Sequence, residues 1–147
     1  MTTTTVTTAR PTAATRVTRN NALRDGVILA FRVVIGFLFL LHAIMAYGAL
    51  GGIDGAGGAG PIGSFTWWVG TVQAVGAVLV TVGLYTRASA FLLSGVMAGA
   101  YFMVHQPMGA LPIQNMGEQA ALYSWIFLLL VAIGPGRYAF DTLRTRR

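Results

Sequence analysis

Residues 27–47 have the sequence VILAFRVVIGFLFLLHAIMAY, in which Arg32 is the only charged side chain and His42 the only other basic one. A helix needs about 20 mostly apolar residues to cross the ~30 Å hydrocarbon core of a bilayer, and this stretch has that length. It is longer than the apolar core of about 7–15 residues in a cleavable signal peptide, and it begins far from the amino terminus. We therefore predict a retained transmembrane helix here.

Three further apolar segments follow along the chain, at residues 66–84, 88–104 and 118–134. The sequence of 147 residues is 55% hydrophobic and only 10% charged, whereas soluble domains average about 25% charged residues. This pattern predicts an all-α, polytopic membrane protein built as a bundle of four transmembrane helices. The fourth segment reaches the length of a span only when Glu118 and Gly134 at its ends are included, so three spans with a re-entrant segment are the alternative.

The segments outside the spans differ from them in composition. Residues 1–22 are rich in Thr and Arg and lack apolar periodicity, which predicts a disordered tail, and residues 144–147 form a short basic tail. Between the first two spans, residues 48–63 contain eight Gly in sixteen positions, a density that favours a flexible loop. The membrane domain is accordingly predicted to cover residues 23–143.

The ten basic residues are all Arg, and their positions predict the topology. They precede or begin the first span, occupy the turn between the second and third spans, or follow the fourth, whereas residues 48–65 and 105–117 contain none. Basic residues accumulate on the cytoplasmic side of a membrane, so we expect a bacterial plasma-membrane protein with both termini in the cytoplasm. No basic face is left to follow a phosphate backbone, which excludes nucleic acid as a partner.

Four polar residues are predicted to lie at a similar depth in the outer half of the bundle: His42, Gln73, His105 and Glu118. Ionisable side chains inside a bilayer are costly and usually face the bundle interior. One such residue is explained by a hydrogen bond to a neighbouring helix, but four on different spans favour a shared polar pocket. Arg32, near the cytoplasmic edge, is expected either to extend to the lipid head groups or to pair inward with Asp141 or Asp25.

Small residues in the spans indicate which helix faces pack together. Gly36 lies on one stripe with Arg32, and Gly76 on another with Gln73. In the third span, Gly95 and Gly99 form a small-xxx-small pair, the arrangement that lets helix backbones approach closely in lipid. We expect these glycines to mark helix contacts within the bundle.

Four motifs connect the sequence with a known family. They are RVVIGFLFLLH at residues 32–42, GAVLVTVGLYTR at residues 76–87, the N-x-G-E element at residues 115–118 and GPGRYxxD at residues 134–141. In this order and spacing they resemble the DoxX family of small four-helix integral membrane proteins, and the resemblance covers residues 23–143. The charged residues of these stretches are expected to form structural ionic contacts: Arg32, Arg87, Arg137 and Asp141.

Some DoxX proteins resemble the membrane subunit of thiosulfate:quinone oxidoreductase or of a quinol oxidase. The resemblance therefore implies a membrane subunit that handles quinone or quinol for a partner oxidoreductase, so that the chain is at most one subunit of an enzyme. Electron transfer to quinone is coupled to protonation, and His105 and Glu118 are the expected catalytic pair. The expected slot for the quinone cofactor is lined by His42, Gln73, Trp67, Tyr101 and Trp125.

Two other functions are open at this stage. The first is a non-catalytic membrane anchor or assembly subunit that recruits a soluble redox enzyme through the arginine-rich termini. The second is haem or copper ligation by His42, His105 and nearby Met residues; we assign no metal site, because scattered Met is usually packing material. The lipid bilayer is the one certain partner, and a homo-oligomer is compatible with the sequence.

Overall fold

The computed structural model describes residues 13–53 and 55–144, with side chains from residue 21 onward. Five α-helices form within these residues: α1 (Ala13–Ile44), α2 (Phe65–Val82), α3 (Thr86–Ala100), α4 (Glu118–Ile133) and the short α5 (Phe140–Arg144). A π-helical turn (Tyr101–His105) and a 3-10 turn (Gln106–Met108) extend α3. Isolated bridges within the glycine-rich loop are the only extended pairings in the described residues.

The predicted all-α membrane bundle is confirmed. Three helical segments are long and apolar enough to cross a membrane: Asn21–Ile44, Phe65–Val82 and Thr86–Met108. The fourth apolar helix, Glu118–Ile133, has 16 residues, which corresponds to about 24 Å at a rise of ~1.5 Å per residue. It is the shortest of the four, as its sequence indicated.

The amino-terminal boundary differs from the prediction. Helix α1 begins at Ala13 and therefore includes residues 13–22, which we expected to be part of a disordered tail. This part of the helix contains Arg16 and Arg19 among polar neighbours, and it runs without interruption into the apolar helix that follows. The rest of the expected tail, residues 1–12, and residues 145–147 of the basic tail lie outside the described residues.

Consecutive helices pack side by side, and aromatic rings close the bundle. α1 packs along α2, α2 along α3, and α3 along α4. The fourth side is formed by Phe39 of α1, whose ring lies 4.9 Å from that of Tyr123 and 4.8 Å from that of Phe127, both on α4. Phe39 and Phe127 are fully buried with Leu93 and Leu130 in the core. Large rings thus separate the backbones of α1 and α4.

The glycines of the spans have two different environments. A Cβ atom at Gly76 would lie 2.7 Å from Leu93, and one at Gly36 would collide with Thr81, so both mark close helix contacts as expected. A Cβ atom at Gly95 or Gly99 would meet nothing within 4 Å. The expectation that this pair packs inside the bundle is therefore wrong, because the pair faces outward from α3.

The carboxy-terminal segment folds back over one end of the bundle, which we call the arginine end because it carries Arg24, Arg87 and Arg144. Asp141 on α5 accepts hydrogen bonds from the backbone N–H groups of Tyr85, at 2.7 Å, and Thr86, at 2.8 Å. These groups begin α3, so Asp141 caps that helix from another part of the chain. The opposite end, with residues 45–64 and 106–117, is called the loop end.

Two arginines complete the arginine end. Arg32 is only 1% exposed, and its Nη2 atom donates a hydrogen bond to the carbonyl oxygen of Tyr138 at 3.1 Å. Its side chain thus turns inward, towards the carboxylate of Asp141, instead of extending to the head groups. Arg87 donates from Nη1 to the carbonyl oxygen of Val131 at 2.8 Å. Arg137 is exposed.

Burial, hydrogen bonds and charge act in opposite directions on Asp141. Partial burial of the carboxyl group would raise its pKa, but the hydrogen bonds from Thr86 and Tyr85 and the positive charge of Arg32 outweigh that effect. The pKa of Asp141 is consequently lower than its ordinary value. Asp141 is therefore held in its charged form by the contacts that attach α5 to the bundle.

Candidate functional site

A groove of about 530 Å³ runs between α1 and α4 and reaches the loop end. Its walls are mostly apolar and come from both helices, with Ile35 and Leu38 on α1 facing Leu122 and Ile126 on α4. The groove exists because the rings of Phe39, Tyr123 and Phe127 separate the two helices. We call it the α1–α4 groove.

The polar groups of the α1–α4 groove gather on the first two turns of α4. Glu118 and Gln119 line the groove with Tyr123, which lies one turn further along the helix. The side-chain amide of Gln119 lies near the hydroxyl group of Tyr123. Glu118 is exposed and occupies the first turn of α4, where a carboxylate interacts favourably with the helix dipole. The groove thus combines apolar walls with a carboxylate, an amide and a phenol at one end.

The loop before α4 is organised by Asn115, which is 1% exposed. Its side-chain nitrogen donates to the carbonyl oxygen of Gly109 at 2.9 Å, and its side-chain oxygen accepts from the backbone N–H of Gly117 at 2.8 Å. The Nδ1 atom of His105 lies 3.1 Å from the carbonyl oxygen of Asn115. Since Gly117 directly precedes Glu118, these contacts fix the position at which α4 begins.

His105 and Glu118, the expected pair, both lie beside Gly117. A Cβ atom on Gly117 would lie 2.7 Å from the Cβ atom of His105, so the histidine packs against the residue preceding Glu118. Within residues 21–53 and 55–144, no ion pair joins His105 to Glu118. His105 does not line the α1–α4 groove.

A second cavity, of about 340 Å³, lies between α1, α2 and the end of α3. His42 and Gln73 line it together with Met45, Thr66, Gly70 and Val104. We call it the His42–Gln73 chamber. Two of the four polar residues predicted to share a pocket thus meet here, while Glu118 lines the α1–α4 groove.

The three aromatic residues expected in the quinone slot lie at separate places. Tyr101 and Trp125 line a small pocket of about 250 Å³ between the end of α3 and α4. Trp125 also lines a shallow pocket of about 380 Å³ with Glu118 on the outer side of α4. Trp67 packs against Tyr47 at the loop end, with ring centroids 6.1 Å apart. These three residues therefore do not line one common slot.

Sequence reasoning missed Gln119, Tyr123 and the organising role of Asn115. Gln119 and Tyr123 are four residues apart on α4, so their side chains lie on the same face of the helix. That spacing could have identified the two residues as a pair, but Tyr123 lies within a segment that hydropathy marks only as apolar. Asn115 belongs to the N-x-G-E element, and its burial in a loop depends on contacts with Gly109 and Gly117 that no sequence pattern specifies.

Metal ligands do not gather at any of these cavities. In the part of the chain that the structure describes, no three His, Asp or Glu side chains lie close enough together to hold a metal ion. His42 and His105 belong to different sites, as described above.

Comparisons with known proteins agree with the fold. The DoxX family model matches residues 27–106, which is more than half of the chain. The chain is also 42% identical, over 117 residues, to a protein of Haemophilus influenzae described as uncharacterized. That alignment covers 77% of this chain and 87% of the relative. No solved structure matches the chain significantly.

Proposed function

Since the chain belongs to the DoxX family of membrane proteins, we propose that it is the membrane subunit of a redox system and binds quinone or quinol for a partner oxidoreductase. The observation that carries this proposal is the α1–α4 groove. It has a polar end formed by Glu118, Gln119 and Tyr123 and apolar walls that continue along both helices.

The groove matches the two parts of a quinone. A quinone ring carries two carbonyl oxygens that need hydrogen-bond partners, whereas its isoprenoid tail needs an apolar surface. Gln119 and Tyr123 provide the hydrogen-bonding groups, and Leu38 and Leu122 are about half exposed on the walls, at 45% and 55%. A lipid-soluble ligand can therefore enter sideways from the bilayer.

Glu118 is the residue proposed to exchange protons with the ligand. Reduction of a quinone to a quinol adds two electrons and two protons, and a carboxyl group within hydrogen-bond reach can give or take one of these protons. The electrons come from the partner oxidoreductase, because no redox-active Cys is present in this chain. His105 acts as a positioning residue, since its contact with Asn115 organises the loop that begins α4.

We further propose the orientation expected from the arginine distribution. The arginine end lies in the cytoplasm of a bacterial cell, and the loop end lies outside. This orientation places the polar end of the α1–α4 groove near the outer surface of the plasma membrane.

The test is binding of a photoreactive short-chain quinone to the purified full-length protein in mild detergent. We expect cross-links within residues 118–126 and 35–38, mapped by mass spectrometry. Replacing Leu122 with Trp should fill the groove and weaken binding by about tenfold or more, which corresponds to ~1.4 kcal/mol. Leu122 is 55% exposed, so the larger side chain is tolerated by the fold.

Leu128→Trp is the matched control, since Leu128 lies on the same helix and does not line the groove. It should leave quinone affinity unchanged. Equal affinity in the Leu122→Trp variant and the control would contradict the proposal, as would cross-links confined to other helices.

A membrane-anchor function is the second candidate, and α5 is the observation that favours it. Phe140 and Leu143 are exposed on this helix, at 59% and 57%, beside the exposed Arg144. This mixed apolar and basic surface suits either the lipid head groups or a docked protein. An oxidoreductase that co-purifies with the chain, combined with the absence of quinone binding, would favour the anchor function.

A further inference from the structure

Helix α5 has two different faces, and only one of them is attached to the bundle. Asp141 faces the bundle, where its carboxylate accepts hydrogen bonds from the backbone N–H groups at the start of α3. Leu143 and Arg144 lie three and four residues after Phe140, so these three side chains share one side of the helix. All three are exposed. The described residues therefore leave an apolar and basic face of α5 uncovered.

The contacts of α5 place it at the level where the membrane-spanning helices end. The carboxylate of Asp141 meets the first residues of α3, directly after the turn that follows α2. The hydroxyl group of Thr142 donates to the carbonyl oxygen of Gly136, shortly beyond the end of α4. Helix ends that leave the hydrocarbon core lie in the head-group layer of the bilayer. Phe140 and Leu143 are therefore exposed at the depth of the lipid head groups.

Two exposed tyrosines lie at the same level. Tyr85 belongs to the turn between α2 and α3, and Tyr138 comes just before α5. Tyrosine is enriched at membrane interfaces, because its ring is apolar and its hydroxyl group is polar. These two residues support an interfacial location for the helix beside them.

The charge of the arginine end is positive and only partly balanced. Seven arginines of residues 13–144 belong to this end, and the acidic residues there are Asp25 and Asp141. Asp25 is only 8% exposed and lies 4.0 Å from the Nη2 atom of Arg24, while Asp141 caps α3. A negatively charged partner is therefore complementary to the exposed arginines.

Arg87 and Arg144 are suitably placed to bind such a partner. Arg87 donates from Nη1 to the carbonyl oxygen of Val131 at 2.8 Å, and Arg144 donates from Nη1 to the hydroxyl oxygen of Tyr85 at 3.3 Å. These contacts orient both exposed side chains and use only one nitrogen of each. A guanidinium group has several further N–H donors in a planar fork, and that geometry matches two oxygens of a phosphate group.

We propose that α5 and the neighbouring arginines form a binding surface for anionic phospholipids. Arg87 and Arg144 bind the lipid phosphates, while Phe140 and Leu143 enter the boundary between the head groups and the acyl chains. A soluble anion would bind the arginines but would leave the two apolar side chains uncovered, so the combination favours a lipid. Lipid binding at this surface does not require quinone in the α1–α4 groove and goes beyond the proposed function.

A tryptophan introduced by Phe140→Trp reports which lipid lies beside α5. The native tryptophans are elsewhere, since Trp67 and Trp68 begin α2 and Trp125 is in the middle of α4. The full-length variant is reconstituted in phosphatidylcholine vesicles with a minor fraction of phosphatidylglycerol, and bromine on the acyl chains of one lipid or the other quenches nearby tryptophan fluorescence. We expect brominated phosphatidylglycerol to quench the added signal more than its share of the lipid predicts. Salt at about 1 M should reduce this excess, because the Debye length falls to ~3 Å.

Arg87→Gln and Arg144→Gln, each combined with Phe140→Trp, test the phosphate contacts. Each should lower the preference for phosphatidylglycerol over phosphatidylcholine about twofold to fivefold, and the two together should nearly abolish it. Arg144→Lys is the matched control, because it keeps the positive charge and should retain most of the preference. The two arginines lie on different helices, so a loss of fold in one variant leaves the other as a test.

Three results would overturn the proposal. The first is equal quenching by the two brominated lipids at low and at high salt, and the second is a preference that survives both Arg→Gln changes. The third is the absence of quenching at position 140 by either lipid, which would show that α5 projects into water and is open to a docked protein. Cross-linking of the photoreactive quinone should be unchanged in all these variants, so a failure of quinone binding is distinct from a failure of lipid binding.

Discussion

The packing of Arg32 depends on the absence of a side chain at Gly83. Gly83 ends α2 with φ +78°, and a Cβ atom added there would collide with the Nη1 atom of Arg32. Arg32 is buried and cannot turn aside without losing its hydrogen bond to Tyr138. Glycine at position 83 thus serves both the left-handed backbone and the inward orientation of the arginine.

Gly83→Ala should therefore destabilise the protein strongly. The left-handed backbone alone costs an alanine about 1–2 kcal/mol, and displacement of the buried guanidinium group adds to that cost. Thermal unfolding of the purified protein in detergent, followed by circular dichroism, measures the effect.

Gly95→Ala is the control for this change. A Cβ atom there meets nothing within 4 Å, and alanine favours helix over glycine by about 1 kcal/mol. This variant should unfold at the same temperature as the wild type or above it. A Gly83→Ala variant as stable as Gly95→Ala would contradict the packing described for Arg32.

The orientation of the Arg32 side chain could not be predicted from the sequence pattern alone. The sequence indicated that this arginine either extends to the head groups or pairs inward, and periodicity alone places it only on a helix face. The inward position depends on α5, which folds back over the bundle and brings Tyr138 and Asp141 to it. Contacts between segments so far apart in the chain cannot be predicted from the local sequence pattern.

Helix α3 depends on a cap that comes from α5. Asp141→Ala removes both hydrogen-bond acceptors from the backbone N–H groups of Tyr85 and Thr86, and the loss of such a cap costs about 0.5–2 kcal/mol. Asp141→Asn keeps one acceptor without the charge, so it should have a smaller effect. Thermal unfolding near neutral pH ranks the three proteins.

The same cap predicts a pH dependence of stability. The pKa of Asp141 is lower in the folded protein than its ordinary value of 3.8. Its contribution to the free energy of unfolding is therefore fully present above the ordinary value and is lost as the pH falls through the lower, folded value. The stability difference between wild type and Asp141→Asn should narrow over that acidic range. A difference that stays constant with pH would show that the charge of Asp141 does not stabilise α5 on the bundle.

The apolar segments predicted the positions of the helices, but they predicted the first and last residues of the helices less accurately. Residues 66–84 and 118–134 correspond closely to α2 and α4, whose carboxy-terminal caps are Gly83 and Gly134. The start of α1 at Ala13 was missed, since hydropathy does not register a polar extension of an apolar helix. The π-helical turn at Tyr101–His105 was missed because a wider turn leaves no mark in hydropathy.

The arrangement of the whole bundle explains why the candidate site was only partly predicted. Sequence reasoning identified Glu118, His42 and Gln73 as polar residues of one bundle but assigned them to one pocket. The packing order of the helices separates them, because His42 and Gln73 meet between α1 and α2 while Glu118 faces the space between α1 and α4. That space depends on the size of the rings at Phe39, Tyr123 and Phe127, which is a property of packing in three dimensions.

The distribution of arginines predicts the orientation of the whole molecule in the membrane. Arg24, Arg87 and Arg144 lie at the arginine end, whereas the loop end carries no arginine in residues 48–65 and 105–117. Because basic residues are retained in the cytoplasm, a phosphatase that is active only outside the cytoplasm should be active when fused at residue 56 and inactive when fused after Arg147. A fluorescent protein that matures only in the cytoplasm should give the opposite result. Fusion of the phosphatase at residue 110, in the second loop of the same end, is the matched control and should resemble the fusion at residue 56. An active phosphatase at the carboxy terminus would reverse the orientation and would move the polar end of the α1–α4 groove to the cytoplasmic surface.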